Sequence, residues 1–169
     1  MSASAPLPDD FPGLRPDGRQ SPAALAIQRG VRRMLAAMDC ASLCEFTLRS
    51  GRRADVIALA RDGCVSIVEI KSSVRDFRAD RKWPDYRDFC DRLYFAVDAS
   101  TPLDILPPET GLILADGYGA EILREPPHHP LAPARRKALT LRFARAAAAG
   151  LHAATDPEAR GFLGGLSEG

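Results

Sequence analysis

The chain has 169 residues, 46% of them hydrophobic, 27% charged and 7% aromatic, with a formal net charge of +1. At this length one globular domain buries roughly 70% of its unfolded surface, and the ordinary apolar content and near-zero net charge exclude disorder throughout. No apolar run approaches the roughly 20 residues that cross a bilayer, and the N-terminus lacks the basic-then-apolar order of a secretory signal, so a cytoplasmic protein without a membrane partner is expected.

In chain order, residues 1–20 carry Pro6, Pro8, Pro12 and Pro16 among polar residues and read as a flexible arm. Ser21-Pro22 reads as an N-cap followed by proline at the first helical position, with Leu25, Val31, Leu35 and Met38 as an apolar stripe, and the helix ends near Asp39. Three strands follow at 45–48, 54–60 and 64–71. Ser72 and Ser73 can cap a helical segment toward Asp80, and Pro84 can begin another through Cys90. A fourth strand is expected at 92–97. Two more, 110–115 and 120–123, flank the turn Asp116-Gly117-Tyr118-Gly119. A final helix spans 132–149, with Leu139 and Phe143 inward and Gly150 as its stop. Residues 21–150 thus form one α/β domain and 151–169 a flexible tail.

Of the 23 basic residues, 20 are arginine and only Lys71, Lys82 and Lys137 are lysine. Seven arginines between Arg29 and Arg61, and the run Arg135, Arg136, Lys137, Arg142 and Arg145, make local basic surfaces that suit a polyanionic partner. Cys40, Cys44, Cys64 and Cys90 match no zinc spacing and read as small core residues, and none of the three histidines reads as a metal ligand.

The connections Arg49-Ser50-Gly51 and Arg61-Asp62-Gly63 both end in glycine, as a three-residue hairpin loop closed by a left-handed residue requires. The second loop pairs Ala60 with Cys64, which puts Asp55 opposite Glu69. The first pairs Leu48 with Arg52, which puts Glu45 opposite Asp55. Glu45, Asp55 and Glu69 are therefore expected in one row of a three-stranded meander, with Lys71 on the same face. Like charges directly opposite destabilise a sheet, and a divalent cation is the best reason to line them up. An isolated Glu-x-Lys is ordinarily a solvated strand face, but here Glu69 ends the apolar run Val65-Ser-Ile-Val-Glu-Ile70, which reads as a buried strand.

The series Glu45, Asp55 and Glu69-Ile70-Lys71 resembles the PD-(D/E)XK nuclease superfamily, whose motif is an Asp followed by Glu-x-Lys on the next strand. Longer stretches are similar to the MmcB-like family of bacterial DNA-repair proteins over residues 25–148: Gly51-Arg-Arg-Ala-Asp-Val-Ile-Ala-Leu59, Ile67-Val-Glu-Ile-Lys-Ser-Ser73, Lys82-Trp-Pro-Asp-Tyr86, Cys90-Asp-Arg-Leu-Tyr-Phe95 and Arg135-Arg-Lys-Ala-Leu-Thr-Leu-Arg-Phe-Ala144. Two departures stand out: Ala54 replaces the usual proline before the motif Asp, and Lys82 leads the Lys82–Tyr86 spacing where some branches carry Gln.

The resemblance implies a restriction-endonuclease-like fold, with a mixed central sheet that begins as an antiparallel meander flanked by helices. It implies a DNA-repair nuclease dependent on Mg²⁺, with Mn²⁺ as a substitute. Asp55, Glu69 and the Ile70 carbonyl would hold the metal, Glu45 would complete the site, and Lys71 would orient water or offset charge on the phosphate. Arg53, Lys82, Tyr86, Arg135 and Arg142, with Arg49 and Arg52, are the substrate-binding candidates, and Trp83 or Tyr86 could stack on an unpaired base. The rival readings are a non-catalytic module that binds DNA or recruits other repair proteins, and an RNA-processing nuclease.

Overall fold

The computed structural model describes residues 20–79, 82–156 and 158. The first helix, α1 (Pro22–Ala37), begins as its chemistry dictates: the Ser21 hydroxyl accepts the Ala24 amide at 3.1 Å, and Pro22 occupies the first turn, where its missing N–H costs nothing. Ile27, Val31 and Leu35 form its buried stripe. Six strands follow: β1 (Ala41–Thr47), β2 (Arg53–Leu59), β3 (Val65–Ile70), β4 (Arg92–Val97), β5 (Gly111–Ala115) and β6 (Ala120–Arg124). They form one mixed sheet in the order 1-2-3-4-5-6, with β3–β4 and β4–β5 parallel and the rest antiparallel. Between β3 and β4 lie a short helix, α2 (Val74–Ala79), and a 3₁₀ turn, Trp83–Phe89; the last helix is α3 (Pro133–Thr155).

Both hairpin loops close as the glycines require. The Gly51 and Gly63 amides donate to the carbonyls of Leu48 and Ala60, and both glycines have a positive φ of about 80°. The ladders keep the register these loops set. Cys44 pairs with Val56 and Phe46 with Ala54, which brackets Glu45 and Asp55; Val56 pairs with Val68, which brings Asp55 and Glu69 next along the ladder.

The sheet is covered on both faces. α1 packs on Val56, Val68, Ile70, Ala96 and Ile113. Leu139 and Phe143 of α3 pack on Phe46, Ile57 and Ile67 on the other face, together with Tyr86 and Cys90. Phe77 and Trp83 complete that second face, each meeting the Phe95 ring edge-on at 5.5 and 5.8 Å.

Two boundaries differ most from the sequence reading. β1 begins at Ala41, four residues before the strand expected at 45, because pairing to Leu59, Ala58 and Ile57 overrides the weak strand preference of Ala41 and Ser42. α3 runs through Gly150 to Thr155, since the buried Ala153 packs its last turns and Gly150 has no left-handed φ to end the helix. Residues 151–155 are therefore helix rather than flexible tail. The expected arm over residues 1–19, and residues 159–169, lie outside the described residues.

All four cysteines are free. Only Cys90 is a core residue as expected; Cys40, Cys44 and Cys64 are half-buried. Burial pushes the Cys44 thiol up to about 11 and the Cys90 thiol up to about 12. Among the described residues no helix is long and apolar enough to cross a membrane.

Candidate active site

The geometry of interest begins where β2 parts from β3. Beyond the Val56–Val68 pair, carboxylates take over from the backbone ladder. The Ile70 amide donates to Asp55 Oδ2 at 2.8 Å, and the Asp55 amide donates to Glu69 Oε1 at 3.3 Å. β3 meanwhile stays paired to β4 to its end, with the Lys71 amide donating to the Ala96 carbonyl at 2.9 Å. One strand edge thus remains rigid while the other opens, and the two acids bridge the opening. Glu69 and Lys71 are only 3% and 8% exposed, the two charged side chains of β3 and its end that the core encloses. By strand alternation they share the face of Val65 and Ile67, and the Lys71 ammonium stands 6.0 Å from the Phe95 ring centroid.

Glu45 departs from the expected row. Its backbone is left-handed, with φ of 53°, which breaks the alternation of β1: Leu43 packs on the α3 side, Cys44 on the α1 side, and Phe46 again on the α3 side. Its carboxylate ion-pairs with Arg53 Nε at 2.6 Å and accepts from Gln20 Nε2. Among the described residues no group of three or more His, Cys, Asp or Glu side chains is arranged to hold a metal ion. Asp55 and Glu69 thus bridge the opening, and Glu45, bracketed opposite Asp55 by the register, anchors an arginine beside them. The start of α1 closes this corner, with Ser21 Oγ 3.2 Å from Ser72 Oγ.

The substrate-binding candidates divide. Arg53 lies beside Asp55 in β2 and is half-exposed despite its bond to Glu45. Tyr86 is core: it packs under α3, and its hydroxyl donates to the Arg53 carbonyl at 3.0 Å, two residues before Asp55. It positions β2 rather than offering a ring to a base. Trp83 is likewise engaged, against Phe95 and under the Arg87 guanidinium. Lys82 is exposed at the start of the 3₁₀ turn. Arg52 pairs with Asp85 at 2.9 Å. Arg135 bonds the Asp88 carbonyl at 2.8 Å and lies over Phe89, near the start of β4 and away from the Asp55–Glu69 end of the sheet. Arg142 is half-buried on α3.

One charged residue escaped the sequence reading. Asp91 is buried at the start of β4 and accepts from the amides of Val65 and Leu131 and from both terminal nitrogens of Arg136 at 2.7 Å. Burial pushes its carboxyl up, but the Arg136 bonds and the two amides outweigh this and hold it at about 2. A single acid between Cys90 and an apolar strand was the available signal.

Comparison with known proteins adds three findings. A family model described as DNA repair protein MmcB-like matches residues 12–158. No curated protein matches. Among solved structures, SPO1766, a protein of unknown function from Silicibacter pomeroyi, is 46% identical, with a TM-score of 0.78 over 83% of this chain and 95% of that one.

Proposed function

The chain belongs to the MmcB-like family of DNA repair proteins, and from that premise we propose that it is a Mg²⁺-dependent nuclease that hydrolyses DNA phosphodiester bonds on a restriction-endonuclease-like, PD-(D/E)XK fold. The observation that carries this reading is the opening between β2 and β3, where Asp55 and Glu69 bridge the gap and Lys71 follows on the same face. Glu and Lys are rarely enclosed to this degree without a task, because burial disfavours their charged forms.

The donor set fits a hard cation. Asp55, Glu69 and the Ile70 carbonyl are all oxygen donors, and one oxygen of each carboxylate is oriented by a backbone amide. When bound, Mg²⁺ or Mn²⁺ supplies positive charge to a phosphoryl oxygen and acidity to water. The chain's own residues do the rest. The Ile70 and Asp55 amides hold the two acids in fixed rotamers, so little reorganisation precedes reaction. Lys71 brings a compact charge with three donors to the same face, suited to a phosphate oxygen or an attacking water. The Phe95 ring walls that side against bulk solvent. Arg53, steered by Glu45, and Lys82 offer contacts to the phosphate backbone that position DNA without reading its sequence.

A second reading has an observation of its own. Glu45 is engaged with Arg53 and Gln20, which leaves two bridging acids in place of a three-acid cluster and suits a module that binds DNA or recruits repair partners without cutting. One experiment separates the two: Mg²⁺ or Mn²⁺ titration with cleavage assays on single-stranded, duplex and branched DNA, for wild type, Asp55→Ala and Lys71→Ala. Metal-dependent cutting that both substitutions abolish, with melting unchanged, is expected for the nuclease. DNA binding with no cutting at any metal concentration leaves the binding module.

A further inference from the structure

The face of the sheet covered by α1 carries a basic groove that the carboxylate site does not use. Over Pro22–Ala37 the helix has three arginines and no acid. Arg29, Arg32 and Arg33 fall three and four residues apart and so share one helix face. Between that face and the start of β1 runs an open groove of about 560 Å³, lined by these arginines with Gln28 and Ser42 and by no acidic side chain. Arg32 Nε is buried and has no hydrogen-bond partner among the described residues. A buried guanidinium N–H in that state is costly, and an acceptor from outside the chain relieves it.

Arg33 links the groove to a turn that carries an exposed ring. Arg33 Nη1 donates to the Gly117 and Tyr118 carbonyls at 3.2 and 3.1 Å, which ties α1 to the β5–β6 turn. That turn is set by Asp116 Oδ1, which accepts the Tyr118 and Gly119 amides at 2.7 and 2.9 Å. The backbone of Tyr118 is thus fixed while its side chain is 86% exposed. A ring held out on a rigid turn, tied through Arg33 to the groove that holds the unsatisfied Arg32 Nε, combines the two things single-stranded nucleic acid requires: charge for the backbone and a face for a base.

We propose that the α1 groove and Tyr118 form a second nucleic-acid site that takes single-stranded DNA, with Arg29 and Arg32 on consecutive phosphates and Tyr118 stacked on an unpaired base. The proposal rests on the DNA reading above for the identity of the polyanion, and it is independent of the carboxylates. A duplex hides its base faces, so the exposed ring favours the unpaired strand. Arg33 is already committed to the turn and serves as the brace.

The test is fluorescence anisotropy with the full chain and labelled single-stranded and duplex oligonucleotides of equal length, in chelator so that no strand is cut. Arg29→Ala/Arg32→Ala is expected to weaken single-strand binding about tenfold and to lower the salt slope by about 1.4, the share of two phosphate contacts. Tyr118→Ala is expected to weaken single-strand binding about fivefold, to leave duplex binding unchanged, and to be rescued by Tyr118→Phe. The pair Arg29→Gln/Arg32→Gln keeps most of each aliphatic stem and repeats the test should the alanines lower the melting temperature. Wild-type affinity and salt slope in the arginine variants overturn the groove and leave the nuclease reading standing. A wild-type chain that binds neither form in chelator likewise overturns the groove, while the nuclease reading is decided separately by the metal-dependent cleavage assay.

Discussion

Asp91 and the Asp55–Glu69 pair show what a single residue can and cannot reveal in a sequence. The pair was legible because two glycine-closed loops set the register of three strands, and Gly51 and Gly63 adopt the positive φ those loops need. Glu45 was legible in position but not in direction, because its own left-handed φ turns the strand at that point. Asp91 was opaque, since Val65, Leu131 and Arg136 reach it from 26, 40 and 45 residues away. Its carboxylate nevertheless joins β3, β4 and α3, and breaking such a buried pair from one side is costly. Asp91→Asn is expected to lower unfolding free energy by about 3 kcal/mol in urea titrations. The sign with pH follows from its depressed carboxyl, about 2 when folded against 3.8 otherwise. The stabilisation is fully present above about pH 4 and is lost as pH falls toward 2, so acid unfolding should begin at a higher pH in wild type than the rest of its charges would require, and Asp91→Asn should flatten that part of the profile.

Elements were read best where local chemistry decides them. Ser21 and Pro22 open α1, and Asp116 with its glycines turns β5 into β6, as their side chains alone require. Elements decided by distant contacts were misjudged at their ends: β1 by its pairing to β2, and α3 by the burial of Ala153 beyond Gly150. Two glycines in helices test that distinction. A Cβ at Gly30 would stand 2.2 and 2.3 Å from the Asp116 and Gly119 carbonyl oxygens, so α1 lies on the β5–β6 turn backbone to backbone. Gly30→Ala must push the helix off the sheet and is expected to cost about 1–3 kcal/mol. Nothing lies within 4 Å of a Cβ at Gly150. Gly150→Ala is expected to stabilise by about 0.5–1 kcal/mol through helix propensity and a less flexible unfolded chain. Opposite shifts in urea midpoint check both, and equal shifts would contradict the packing described.

At the scale of the whole molecule, the meander β1–β2–β3 was open to sequence reasoning because its loops are three residues long. The parallel additions β4 and β5 were recognisable as strands, but their places in the sheet depend on crossovers that carry no comparable register signal. The helices close both faces so completely that Phe95 and Val97 of β4 are fully buried, and so is most of Cys90 just before it. That enclosure has a practical consequence. Burial pushes its thiol up to about 12, so Cys90 is almost wholly protonated at neutral pH, and its sulfur donates to the Tyr86 carbonyl. A thiol-alkylating reagent can therefore reach Cys90 at a useful rate only when the domain opens. In Cys40→Ser/Cys44→Ser/Cys64→Ser protein, the labelling rate of Cys90 is expected to rise with urea in step with the equilibrium constant for unfolding, which makes the native cysteine a clock for the breathing of the domain.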